Sequence, residues 1–389
     1  MSNATRVVDE LLGLGTAGSH PASAAVGVCG PNGKDVSVSG WAVLPDESGS
    51  GGEAISAGMM VDLASVTKVA STTTLAMLLC AAGQLDPSAP VKRYLPRFTA
   101  AGKADITVEQ LLAHAGGLQP WWPLYCVTEE RDRALDLAQD LPLAAAPGTQ
   151  RRYSDLGMIL AGQVIERIAG DELSKAFTDM VGRPLGLDAR FGPVPARDAA
   201  TSADSDAYEY AMVARGVPYP VPFSTANFSG WRDHAVRGEA NDGNAAHALR
   251  GAAGHAGLFA SIDDLLRLGA ALIGGEFVPT AVLERFATSS ATEQDQALGF
   301  RRTTLEVQGQ PNTLLWHGGF TGTFFGVVPN AGLVVAGAAM RLHGTLGHLA
   351  AARTAPAGPH LVTSDSIHNV MFAGTRRAFE QASNLPTAG

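Results

Sequence analysis

A serine and a lysine three residues apart, Ser65-Val66-Thr67-Lys68, carry the chemistry most open to reading in this chain. On a helix, residues i and i+3 share a face, so the Ser65 hydroxyl and the Lys68 amine can meet. A serine alcohol is a weak nucleophile at neutral pH and needs a neighbour to take its proton. Lysine serves as that neighbour only where burial or nearby positive charge lowers its pKa. A helix N-terminus adds N–H groups suited to an oxyanion. The tetrad alone is weak evidence, but the apolar run Val69 to Ala82 that follows predicts a long helix that sets the lysine against a core.

Two further stretches add functional groups. Tyr153-Ser154-Asp155 stands at the entry to a predicted helix, after the loop Pro147-Gly148-Thr149, and His317-Gly318-Gly319 sits at the edge of a predicted strand. In the order SxxK, Tyr-x-Asn-like and Lys/His-x-Gly, these stretches resemble the class C-like branch of the serine β-lactamase and penicillin-binding-protein superfamily. The segments Ile106 to Leu118, Gly254 to Phe259 and His317 to Thr323 resemble stock segments of that branch, and the resemblance runs from about residue 60 to 345.

The resemblance implies roles. Ser65 attacks an acyl carbonyl, Lys68 and Tyr153 share its proton, and Tyr153 passes a proton to the leaving group. His317 stands where the branch carries lysine or histidine and offers a hydrogen bond or a part-time positive charge. The N–H groups of Ser65 and Phe320 form the oxyanion hole. Gly318 and Gly319 leave room for substrate at the strand edge. Asp155 departs from the usual Asn and changes which polar groups suit the cleft. With His317, it points away from efficient β-lactam hydrolysis and toward ester or amide chemistry. The implied activities are hydrolysis by an esterase or amidase and transfer to an amine or alcohol, as in acyltransferases of natural-product pathways. A D-amino-acid peptidase or β-lactamase, or a non-catalytic penicillin-binding-like sensor, is the alternative.

The rest of the chain must position these groups. The expected fold is α/β: an antiparallel sheet built from both chain termini and flanked by helices, with an all-helical inserted subdomain. The sheet domain takes residues 1–60 and 290–389, and the insertion with substrate-lid loops takes 61–289. Two hairpins are predicted, around Pro31-Asn32-Gly33 and Pro329 to Gly332. Helix starts are signalled by a Thr107–Gln110 capping box, by Ser154 and by Ser261–Asp264, and a last helix runs from about 366 to 382. The segment 196–250, with Tyr208, Tyr219, Phe223 and Trp231, joins Trp121 and Trp122 either as an aromatic wall over the cleft or as a loop packed on its own domain. His255 reads as a turn residue.

Of the 389 residues 46% are hydrophobic, ample for a large core, and the net charge of −9 with no basic block argues against nucleic-acid or acidic-membrane partners. The expected partners are a small-molecule acyl donor and an amine or alcohol acceptor, with no cofactor and no metal. Gly13 to Gly18 spells GxGxxG, but a helical pattern precedes it where the dinucleotide fingerprint needs a strand, so it reads as a connector. Cys29, Cys80 and Cys126 lack paired spacing, and the N-terminal stretch lacks the features of a leader. Both favour a cytoplasmic location, with a mature secreted form left open.

Overall fold

The computed structural model describes residues 1–16, 19–100, 102–345, 349 and 361–383. The end of the GxGxxG stretch lies outside them.

Strands β1 (Ser23–Gly30) and β2 (Gly33–Val43) form the first predicted hairpin, pairing Gly30 with Gly33 across a two-residue turn. Gly33 has φ +98°, which a side chain would resist. Short strands β3 (Glu53–Ala54), β4 (Val61–Asp62), β5 (Arg190–Phe191), β6 (Thr201–Ala203), β7 (Val236–Arg237) and β8 (Leu258–Ala260) follow. The chain then returns as β9 (Arg301–Val307), β10 (Gln310–Gly318), β11 (Thr323–Val328) and β12 (Leu333–Ala339). The large sheet has the order β3-β2-β1-β12-β11-β10-β9, so its first and last thirds join where β1 pairs antiparallel with β12.

Both faces of this sheet are covered. Val26 and Val28 of β1, with Phe324 and Val335, pack against Val8 and Leu11 of the helix Asn3–Leu12 and Ile367 and Met371 of the helix Ser364–Ser383. Ala25, Val327 and Val334 face the other way, into a core containing Leu265 and Leu266 of the helix Ile262–Gly274. Central strands buried on both sides read as continuous apolar runs, which is why β1 and β12 show little alternation.

The insertion departs from expectation in one respect. It is not all helix, because β4, β8 and β5 form a three-stranded sheet and β6 pairs with β7. Runs of two or three residues are too short to carry a period in sequence. This small sheet matters for function, since β4 delivers Ser65.

Candidate active site

Directly after β4 the chain turns sharply, with Ala64 at φ +44° in the left-handed region. An L-residue there costs on the order of 1–3 kcal/mol and needs outside support. Asp62 provides it. Its carboxylate accepts the Ala64 N–H at 2.8 Å and the Asn241 N–H at 2.6 Å, and the residue is buried. Ser65 follows in a single 3₁₀ turn, Ala64–Val66.

The predicted helix from Val69 is composite. Lys68–Thr73 forms a π-helical turn, and only Thr74–Ala81 is α-helical. The cause is local: Thr73 and Thr74 donate their hydroxyls to the carbonyls of Lys68 and Val69, five residues back. The segment Ala64–Ala81 is long and apolar enough to cross a membrane by composition, but it is 78% buried within the protein.

Lys68 is fully buried, and its Nζ donates to Ser65 Oγ at 2.7 Å and to the His255 carbonyl at 3.3 Å. It also forms an ion pair with Asp155 at 2.8 Å, at an angle that falls short of a hydrogen bond. Burial opposes charge on Lys68, yet the Asp155 carboxylate 2.8 Å away favours it, and the amine is held above the ordinary lysine range. This corrects the sequence expectation of a lysine with lowered pKa: at rest Lys68 is an ammonium.

Tyr153 precedes the cap of the helix Asp155–Ala169, where Ser154 Oγ accepts the Gly157 N–H at 3.0 Å. The Lys68 ammonium lies 4.8 Å from the centre of the Tyr153 ring. Burial pushes the phenol up, partly offset by Lys68, so Tyr153 is neutral at rest and able to donate.

His317 lies on β10 with its ring centre 6.0 Å from that of Tyr153, but it offers no charge. Burial, then Lys68, lowers its pKa to about 3. Its Nδ1 stands 2.8 Å from the Gly318 carbonyl, so the neutral ring donates there and leaves Nε2 as an acceptor. The expected part-time cation is thus absent near neutral pH. The adjacent glycines are also demanded by the packing of the chain itself. A Cβ on Gly318 would strike the His368 ring, and one on Gly319 would strike Thr323 and the Leu63 carbonyl. Gly318 lets β10 pack against the helix Ser364–Ser383, and Gly319 lets the β10–β11 turn close on the end of β4.

A cleft of about 210 Å³ opens over these groups. Ser65, Tyr153, Asp155, Trp121 and Phe320 line it, together with Tyr208, Tyr219 and the carboxyls of Asp206, Glu209 and Asp242. Trp121 stacks on Tyr219 with ring centres 6.2 Å apart, and Phe320 packs on Tyr208 at 4.7 Å. Trp122 is not part of the lining; it packs edge-on against Phe223, and its carbonyl accepts from Asn244. Tyr125, Phe228 and Trp231 pack on one another instead of over the cleft. The aromatic segment is therefore partly wall and partly core.

Among the described residues no lysine or arginine lines the cleft. Asp206 is paired with Arg232 at 2.7 Å, and Asp242 with His255 at 2.9 Å. Burial, with Asp242 nearby, raises Glu209 to about 8. Asp155, Asp242 and His255 place one ligand atom each within 4.8 Å of one another, a spacing a metal ion can use. The Lys68 ammonium already lies against Asp155 and the His255 carbonyl, and it supplies positive charge at that point.

The sequence model of the family described as Beta-lactamase matches residues 15–357. The chain belongs to the beta-lactamase family. Members of this family are serine hydrolases. An Escherichia coli K12 protein provisionally named D-alanyl-D-alanine carboxypeptidase is 27% identical over 298 residues, covering 68% of this chain and 65% of that one. The chain thus spans about 65% of the length of the first curated relatives it matches. Among solved structures, a family VIII carboxylesterase superposes with a TM-score of 0.67 at 20% identity, over 97% of this chain and 98% of that one. EstCE1, described as a hydrolase with promiscuous acyltransferase activity, gives 0.66 at 18% identity over 95% and 98%. At such identities the superpositions establish the fold.

Within this beta-lactamase-family fold, several groups at the site left no usable signal in sequence. Asp62, Glu209 and Asp242 are acidic residues without a motif, and Asp62 reaches Asn241 across 179 positions.

Proposed function

We propose that this protein is a serine acyl-transfer enzyme for a small ester or amide that lacks a free carboxylate. The acyl group passes to Ser65 and then to water, or to an amine or alcohol acceptor. The observation that carries the reading is the chain Ser65 Oγ to Lys68 Nζ at 2.7 Å and Lys68 Nζ to Asp155 at 2.8 Å, beneath a cleft whose described lining includes carboxyls but no lysine or arginine. Asp206 and Asp155 are ion-paired and Glu209 holds its proton near neutral pH, so among the described lining residues a carboxylate substrate finds no lysine or arginine to pair with.

The ion pair supports a specific proton path. An ammonium cannot accept a proton, but Lys68 can hand one to Asp155 as it takes one from Ser65. The Ser65 oxygen then bonds to the acyl carbon, and the carbonyl pair moves onto oxygen, toward the N–H groups of Ser65 and Phe320. Donors of this kind lower such barriers by about 3 kcal/mol. Arg341 holds Phe320 from behind, donating to its carbonyl at 2.7 Å. On collapse the leaving group takes the Tyr153 proton, and the phenolate recovers one from Lys68, which draws on Asp155. The proton lost by Ser65 thus ends on the leaving group. Deacylation runs the same path with water or an acceptor in place of the leaving group.

Hydrolysis of D-amino-acid bonds is the second reading, favoured by the name of the Escherichia coli relative. The lack of a lysine or arginine among the described lining residues argues against a substrate ending in a carboxylate. Turnover of p-nitrophenyl acetate and butyrate, compared with a D-alanyl-D-alanine peptide and a chromogenic cephalosporin, separates the readings. Ester turnover with a Ser65-linked acyl adduct by intact mass, lost in Ser65→Ala, supports the proposal. Faster release of D-alanine than ester cleavage, or no acylation by any of these, refutes it.

A further inference from the structure

We infer that His114 is the positioning residue for Tyr153, holding its phenol where proton exchange with Lys68 and Ser65 takes place. The inference rests on the reading of Tyr153 as a proton donor. His114 follows the helix Val108–Leu112, is 2% exposed, and holds φ +57°. Its carbonyl accepts the Arg152 N–H at 2.8 Å, and its Nδ1 accepts the Ser154 N–H at 3.2 Å. The residues on either side of Tyr153 are therefore bonded to one histidine. The tyrosine between them lies against the same imidazole, with ring centres 4.6 Å apart and planes tilted by 42°.

This bracket demands a neutral ring, because a protonated Nδ1 cannot accept from Ser154. Burial, reinforced by Lys68 and Arg151, keeps His114 well below the ordinary histidine value. The remaining ring proton sits on Nε2, which is buried and meets no hydrogen-bond partner among the described residues. The Ser154 bond and the tilted ring contact with Tyr153 therefore orient the imidazole. Proton exchange needs heavy atoms about 2.6–3.2 Å apart, and a displacement of about 1 Å at a reacting group can cost about 100-fold in rate. The left-handed backbone at His114 is part of the arrangement. It turns the chain so that carbonyl and ring both face the segment 152–154, and among L-residues asparagine tolerates it best.

The experiment compares His114→Ala, His114→Gly and His114→Asn in the full chain, with p-nitrophenyl ester as substrate and thermal unfolding as the check on folding. Asn places Oδ1 close to where Nδ1 stands and accepts the same N–H. We expect the Ala and Gly variants to lose about 100-fold in kcat with KM within about threefold, and Asn to recover most of that loss. Gly relieves the backbone strain without restoring the acceptor, so it remains informative if Ala folds poorly. A second arm repeats His114→Gly in a Tyr153→Phe background, where a residue acting only through the phenol adds little further loss. Three outcomes overturn the inference: wild-type kcat in the folded Gly variant, an Asn variant as slow as Gly, or a full additional loss in the Tyr153→Phe background. If Tyr153→Phe itself keeps wild-type rates, the underlying reading of Tyr153 fails, and that result is distinguishable from an indifferent His114 in an enzyme sensitive at Tyr153.

Discussion

Thr323 donates its hydroxyl to the Leu63 carbonyl at 2.8 Å, tying the turn that carries Phe320, just after His317 of β10, to the end of β4, which leads into Ser65. Thr321 makes the matching bond to the Asp62 carbonyl, also at 2.8 Å. Both hydroxyls are completely buried, and the two bonds join segments some 260 positions apart in sequence. The two proposed oxyanion donors, Ser65 N–H and Phe320 N–H, thereby sit on one clamped unit.

Replacing Thr323 by Val keeps the shape and removes the bond. The Leu63 carbonyl keeps the Val66 N–H at 3.0 Å, so the loss is that of one buried hydrogen bond, about 0.5–1.5 kcal/mol. Thr323→Val is expected to lower Tm by about one or two degrees and to reduce kcat more than it raises KM, as measured by thermal unfolding and ester kinetics. A variant with lowered Tm and unchanged kcat separates the clamp from the oxyanion geometry.

His317 gives a pH prediction whose sign follows from its burial. The unfolded chain protonates this histidine near pH 6.5, whereas the folded protein resists until about pH 3. Between those values the unfolded state binds more protons, so stability falls as pH drops through the window. Urea unfolding of His317→Asn is expected to show a shallower loss from pH 6.5 to 4 than the wild type. Equal slopes contradict a buried neutral imidazole.

Glu209 predicts the opposite sign. Its folded pKa is raised to about 8 from a model-compound value of 4.5, so the folded state retains a proton that the unfolded state releases. The stability tied to that proton is fully present below pH 4.5 and is lost as pH rises toward 8. Glu209→Gln, which cannot ionise, is expected to flatten this part of the stability profile. The check is denaturant midpoints at pH 5 and pH 8, and a wild-type difference that persists unchanged in the variant argues against it.

Local features of this fold were legible in the sequence because their causes are local. The Thr107–Gln110 and Ser261–Asp264 capping boxes form as read, and Ser154 caps its helix. Both hairpins close at their turn residues. The meeting of Ser65 and Lys68 also follows from i, i+3 spacing, although the helix beyond is partly π because threonine hydroxyls compete for its carbonyls. What the sequence misled on depends on neighbours far along the chain. The charge of Lys68 is set by Asp155 and that of His317 by burial. The need for glycine at 318 is set by His368, and the support for Ala64 comes from Asp62 held by Asn241. Trp121 and Trp122 are adjacent, yet only the first reaches the cleft.

In the proposed proton path Lys68 works as an ammonium made competent by Asp155. The measurement that tests it most directly is the pH dependence of kcat/KM for Asp155→Asn beside the wild type. With the carboxylate present, the relay operates from the charged pair, so wild-type activity is expected to be flat from about pH 7 to 9. Without it, burial lowers the lysine pKa and only neutral Lys68 can take the Ser65 proton. The variant is expected to be at least about 100-fold slower at neutral pH and to climb with pH as Lys68 deprotonates. An Asp155→Asn enzyme with wild-type rate and a flat profile contradicts the account.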